Sequence, residues 1–151
     1  MAEATLKQKL SEDLKQAMRS GDVLKKSTIR MLMAAINNAE IARQAKMEDG
    51  DIFGVISKEI RQRRESIEAF KQGNRQDLVD KEAAEIEVLQ GYLPQQLTRE
   101  EIVEAARKVV AEVGAEGPGD KGKVMPKLIA QLKGRADGRE INEVVSELLS
   151  S

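Results

Sequence analysis

The chain has 151 residues, 40% apolar and 34% charged, with a formal net charge of −1 at pH 7. That size and balance suit one ordinary domain or two small ones with separate cores, and they argue against a disordered or membrane-embedded chain. It contains neither Cys nor His. Disulfides, a thiol nucleophile, the commonest general base and the usual zinc ligands are thereby removed together, which favours a binding protein over an enzyme.

Aromatic residues are Phe53, Phe70 and Tyr92 alone, so the core has to be aliphatic. Every long segment has helical period. Leu6, Leu10, Leu14 and Ala17 mark a first helix ending near Gly21. Asp22 caps a second, with Leu24, Thr28, Met31, Leu32, Ala35, Ile36 and Ala39 on one face. Met47–Asp51 reads as a turn, with Asp51 capping a third helix. The stripe of that helix is Ile52, Val55, Ile56, Ile60, Arg63, Ile67 and Phe70, and Gly73 ends it. Asn74–Asp77 has the spacing of a capping box before a fourth helix with Leu78, Glu82, Ile86, Leu89 and Leu93.

Pro94 cannot continue a helix and restricts the residue before it, so a boundary is expected at 93–97. Thr98-Arg99-Glu100-Glu101 is a full capping box for a helix carrying Ile102, Ala106, Val109 and Val113 up to Gly114. A loop over 114–119 leads to a shorter helix reaching about Lys133, which Pro126 is expected to kink or delay. After the turn Gly134-Arg135-Ala136, Asp137 caps a last helix with Ile141, Val144, Val145 and Leu148, and Glu140 completes its capping box. The expected fold is all-α: an N-terminal bundle of about four helices over 1–93 and a three-helix domain over 98–151.

The longest apolar run, Met31–Ile36, is far too short to span a bilayer. The start Met1-Ala2-Glu3-Ala4 lacks the basic and apolar regions of a secretory signal, which leaves the cytoplasm as the default compartment.

Five constellations invite a chemical reading. Gly117-Pro118-Gly119-Asp120-Lys121-Gly122-Lys123-Val124 has the letters of a dinucleotide fingerprint and nearly those of a P-loop. Both need a preceding strand, and the P-loop needs a hydroxyl where Val124 stands, so an interhelix loop explains the string better. Glu48, Asp49 and Asp51 do not have calcium-loop spacing and read as a turn with a cap, so no metal site is expected. Glu82, Glu85 and Glu87 suggest acid–base carboxylates, but no neighbour in sequence separates their pKa values, and a solvated helix face is the simpler reading. Lys58, Arg61 and Arg64 lead a basic run on the third helix, diluted by Glu59, Glu65 and Glu68 at i,i+4 spacing. Finally, Lys121, Lys123, Lys127, Lys133, Arg135 and Arg139 lie within 121–139 with Asp137 as the single acid. Helix starts near 121 and 138 add free amides, so this stripe is the candidate phosphate-binding surface.

Tyr92-Leu93-Pro94-Gln95-Gln96-Leu97, Lys121-Gly122-Lys123-Val124-Met125 and Leu132-Lys133-Gly134-Arg135-Ala136-Asp137-Gly138 resemble the YqeY family. Ser27–Leu32 and Lys58–Phe70 are similarly typical, and the resemblance covers essentially the whole chain. Within that family the C-terminal part is similar to the tail of GatB, a subunit of the tRNA-dependent amidotransferase. Gly122, Val124, Met125, Lys133, Gly134, Arg135, Ala136 and Asp137 are the positions that match the tail. The resemblance implies a tRNA- or RNA-associated accessory protein without autonomous catalysis, working with tRNA and with an amidotransferase or other translation protein. On that reading the six cations of 121–139 face RNA, Gly122 and Gly134 let the backbone approach, and Lys58, Arg61 and Arg64 form a secondary surface. No cofactor, metal, membrane or DNA partner is expected. Two alternatives stand: participation in glutamine-dependent carbon–nitrogen ligation, and a helical protein-interaction module.

Overall fold

The structure, a computed structural model, describes residues 5–150; Met1-Ala2-Glu3-Ala4, read above for a signal, lies outside them. The chain is all-α, with no strand among the described residues. Its helices are α1 (Leu6–Ser20), α2 (Val23–Arg43), α3 (Asp49–Gln72), α4 (Gln76–Gln90), α5 (Arg99–Val113), α6 (Lys121–Leu132) and α7 (Gly138–Ser150). A 3-10 turn, Pro118–Asp120, runs directly into α6. The chain divides into two compact units, the first ending at Leu93 and the second beginning at Pro94.

In the first unit, α1–α4 close over Leu10, Ile29, Leu32, Ile52, Ile56 and Leu89, all buried. Thr5 and Gln8 form a capping box that starts α1, and Asp22 caps α2 through the Lys25 amide at 3.1 Å. The acidic knot is a knot of polypeptide rather than of ligands. Asp49 accepts the Leu6 amide of α1 at 3.0 Å, and Asp51 accepts the Glu48 amide and an Arg43 N–H, each at 3.1 Å. Asp51 is therefore three residues inside a helix whose cap is Glu48, not the cap itself. Nearby, Glu40 accepts from the Lys7 ammonium and from the Met47 amide, which hold its carboxyl below its ordinary range.

Asn74 does not begin α4. It adopts a left-handed φ of 57° while Gly73 stays at −87°. The Arg75 amide reaches the Phe70 carbonyl at 2.9 Å and the Asn74 amide reaches Lys71 at 3.2 Å. That is a Schellman end to α3 with Asn in the glycine place. Asp77 is engaged by the Arg75 guanidinium at 3.1 and 3.0 Å instead of closing a capping box.

The expected face of α2 is rotated. Ile29 is 0% exposed, whereas Met31 is 40% exposed. Likewise Val79 rather than Leu78 is buried on α4, beside Glu85 at 3%. Glu85 is not a solvated carboxylate: its Oε2 lies 3.1 Å from Nε of Arg63, which is also buried. Arg63 Nη1 donates to the Glu59 carbonyl at 3.1 Å and to its carboxylate at 3.4 Å, and Glu82 Oε2 lies 4.0 Å from Nε. One guanidinium thus meets three carboxylates between α3 and α4. Breaking such a buried pair from one side costs about 3–5 kcal/mol. Burial, then the neighbouring Glu85 charge, raise the Glu82 pKa above its ordinary 4.5.

The second unit closes α5, α6 and α7 over Ile102, Ala106, Val109, Val124, Leu128, Ile141, Val144 and Val145. The Thr98–Glu101 capping box starts α5, with the Thr98 amide 3.0 Å from Glu101 Oε1 and the Glu101 amide 3.2 Å from Thr98 Oγ1. Helix α6 begins at Lys121 and runs through Pro126, so the proline does not delay it. Asp137 Oδ1 accepts the Arg139 amide at 3.1 Å at the start of α7, where Leu149 rather than Leu148 is fully buried. The residues before α5 belong to this unit. The Leu97 amide bonds the Arg135 carbonyl, and the Gln96 side chain bonds the Gly134 carbonyl, both at 2.8 Å.

Two outcomes are expected. A fragment beginning at Pro94 gives a helical circular-dichroism spectrum and a cooperative melt, whereas one beginning at Thr98 melts about 10 °C lower through loss of the two clips at roughly 1 kcal/mol each. A disordered spectrum for the longer fragment would show that its core needs the first unit.

The second outcome concerns pH. Folded Glu82 holds a proton that the unfolded chain has released, so stability falls as pH rises above about 4.5 through the raised native value. Glu40, Glu101 and Asp120 are held low and act in the opposite sense, losing stability only as pH falls below the ordinary carboxylate range. Urea midpoints of the parent should therefore decline as pH rises from about 4.5 through the raised Glu82 value, and those of Glu82→Gln should lose that decline. Identical slopes in both proteins would rule the raised Glu82 pKa out.

Candidate functional site

The six cations read from the sequence do not form one uniform stripe. Lys121, at the start of α6, is half-buried, and its Nζ donates to Ser146 Oγ of α7 at 2.8 Å. Lys123 is exposed and lies 3.4 Å from Asp120 one turn earlier. Lys127 Nζ is 2.6 Å from Glu112 on α5. Lys133, Arg135 and Arg139 are exposed about the Gly134 turn and the first residues of α7. Arg135 lines an open cleft of about 400 Å³ with Leu97, Glu101, Lys108, Glu112 and Gln131. Glu101 is held low chiefly by the Thr98 backbone hydrogen bond, with the Arg135 charge adding to it.

The expectation that these cations lack acidic neighbours is therefore corrected. The Asp120–Lys123 pair was visible as i,i+3 spacing. The Lys127–Glu112 and Arg135–Glu101 approaches come from packing α6 and its turn against α5, which no local pattern displays. These pairs are solvent-exposed and each is worth at most about 1 kcal/mol, so they shade the positive surface without erasing it.

The two glycines differ. Gly134 has φ +81°, a left-handed conformation that a side chain strains, so the turn itself requires it. Gly122 is exposed on α6, and a Cβ there would meet nothing within 4 Å. Upstream, the Gly117–Asp120 string is a 3-10 turn held by Asp120, which accepts the Glu116 amide at 2.9 Å. It follows α5 rather than a strand.

The charge on the other flank of α7 is acidic. Arg99 of α5 reaches Glu147 at 3.1 Å, Glu143 at 3.4 Å and Glu140 at 3.9 Å. The secondary run on α3 is interrupted by the fold. Lys58 and Arg64 are exposed and Arg61 is half-buried, but Arg63 between them is turned inward onto its three glutamates.

A two-unit helical chain with this arrangement matches the model of a family described as Yqey-like protein over residues 7–149. The chain belongs to the YqeY family. It is similar to "Altered inheritance of mitochondria protein 41, mitochondrial" of Pyrenophora tritici-repentis, 34% identical over 145 residues, or 95% of this chain and 80% of that protein. The protein of the same name in Vanderwaltozyma polyspora is 46% identical over 85 residues, covering 56% of this chain and 46% of the relative. In a Saccharomyces cerevisiae strain it is 41% identical over 87 residues, covering 57% and 47%. The match thus spans a little under half the length of the two yeast relatives.

The cytoplasmic default is overturned by these relatives, each of which is named a mitochondrial protein. A missing secretory signal argues against one export route only. Mitochondrial addresses are amphipathic and rich in Arg and Ser, a different pattern from the apolar one sought in the opening residues. Among the described residues no helix is long and apolar enough to cross a membrane.

Proposed function

We propose that the second unit is a docking module for a structured RNA of the tRNA kind, acting without chemistry of its own. The observation that carries this reading is the set of exposed cations from Lys123 to Arg139, gathered along α6, about the Gly134 turn and onto α7. The likeness of Gly122, Val124, Met125 and Lys133–Asp137 to the GatB tail supports it. The names of the fungal relatives support a mitochondrial setting. Scarcity of aromatic residues favours recognition by phosphate and shape over base stacking. Lys121 is withdrawn from the proposed interface because Ser146 and the core of the unit hold it. Participation in glutamine-dependent carbon–nitrogen ligation has no residue support in this chain, which lacks a Ser–Ser–Lys amidase arrangement.

The test is a titration with total tRNA at about 50 and 200 mM salt, where phosphate binding must weaken steeply. Lys133→Ala and Arg135→Ala should each lower the salt slope by roughly one unit, with Arg61→Ala unchanged as a control. Lys121→Ala should lower the melting temperature more than it alters the slope. If Lys133→Ala, Arg135→Ala and Arg61→Ala all bind as the parent does, the surface is merely solvated, and docking of a protein partner becomes the better account.

A further inference from the structure

The first unit holds an open cleft of about 500 Å³ lined by Lys9 and Asp13 of α1, Leu24 and Lys25 of α2, and Ala84, Glu87, Val88, Gly91 and Tyr92 at the α4 end. Its size is that of ordinary small-molecule sites. Lys9 and Asp13 are spaced i,i+4 and would ordinarily pair along the helix. Here Tyr92 separates them. Lys9 Nζ stands 5.6 Å from the centre of the Tyr92 ring, and the buried Tyr92 hydroxyl donates to Asp13 Oδ2 at 2.6 Å. Burial, then the Asp13 hydrogen bond, push the Tyr92 hydroxyl well above its ordinary pKa, so it remains a donor and holds Asp13 in place.

Across the cleft, Lys25 and Glu87 come from different helices. Among the described residues, none of Lys9, Asp13, Lys25 and Glu87 forms an ion pair with another, and Asp13 has the Tyr92 hydroxyl as its hydrogen-bond partner. Elsewhere in the same unit, Lys7 pairs with Glu40, Arg43 with Asp51 and Arg75 with Asp77. Two cations and two anions therefore face one apolar-floored cleft without neutralising each other. A ligand carrying both charges a few bonds apart would satisfy them together.

We propose that this cleft binds a free α-amino acid or a zwitterion of that size. Its carboxylate lies toward Lys9 and Lys25, its ammonium toward Glu87 and the open oxygen of Asp13, and its side chain on Leu24, Ala84 and Val88. The inference is independent of RNA docking, which concerns the other unit.

The chain has one Tyr and no Trp, so its intrinsic emission reports Tyr92 alone. The experiment titrates the full chain with the standard L-amino acids one at a time by calorimetry. Tyr92 emission serves as the positional readout for the non-aromatic ones. At least one should give saturable heat. Acetate or ethylamine alone, each carrying one of the two charges, should give none at the same concentration. Lys25→Ala and Glu87→Gln, both at the rim, should each weaken binding roughly tenfold, the loss expected for one charged hydrogen bond. No saturable heat with any amino acid overturns the proposal. So do equal responses to acetate or ethylamine, or binding that neither variant changes.

Discussion

Three aromatic side chains cannot fill two helical cores, so both units close mainly on Leu, Ile and Val, which have no polar end with which to hold a ligand or a proton. This constraint decides where function can reside. In the second unit the buried set is wholly apolar, and every charged group is left at the rim of a helix. Recognition there has to work through surface charge and backbone shape. The first unit departs from the rule at Thr28, whose hydroxyl donates to the Leu24 carbonyl, at Arg63 with Glu85, and at Tyr92, and its chemical individuality gathers around the last two places.

Arg63 fixes the pairing of α3 with α4. Its Nε faces Glu85 while Nη1 turns back to Glu59 on its own helix, and Glu82 sits one turn before Glu85 at the edge. Sliding α4 by a residue would carry Glu82 and Glu85 off this face and leave the buried guanidinium with Glu59 as its one remaining carboxylate. Desolvation makes that arrangement expensive, so the network adds specificity of register more surely than it adds stability. Three carboxylates around one cation also leave excess negative charge in a half-buried place. Burial first and the Glu85 charge second raise the pKa of Glu82, the more exposed of the α4 pair.

Much of this was legible in the letters. Helical period, the Thr98 capping box and the glycine stops at 21 and 114 mark helix types and ends because each is a local device, complete within one turn. The errors share a cause. Val79 against Leu78 and Leu149 against Leu148 are choices between neighbours on one apolar arc, and Ile29 against Met31 is a choice between its two edges, each settled only by where the next helix lies. The spacing of Asn74 and Asp77 suits a helix start, yet the left-handed backbone of Asn74 ends one, since Asn suits both roles. Glu85 looked solvated because its partner stands 22 positions away, on α3. The candidate interface was legible in its cations but not in their company, because Glu112 and Glu101 reach it from α5.

That company alters what the positive surface can do. An exposed Lys–Glu pair is weak enough for a phosphate to replace the carboxylate, but the displaced Glu112 then stands close to a negative backbone. Net attraction along α6 is therefore smaller than a count of lysines suggests. The Gly134 turn is better placed. Its carbonyls are clipped by Gln96 and Leu97, and the Arg135 amide bonds the Leu132 carbonyl at 2.9 Å, so the backbone bearing Lys133 and Arg135 is ordered before any partner arrives. Less conformational freedom remains to be lost on docking, which favours binding there over equally charged but looser segments. The acidic flank of α7, gathered on Arg99, repels a polyanion and limits the ways it can approach. On the proposed reading, cations on an ordered turn and carboxylates on another flank would give the unit an orientation toward RNA that net charge alone would not supply.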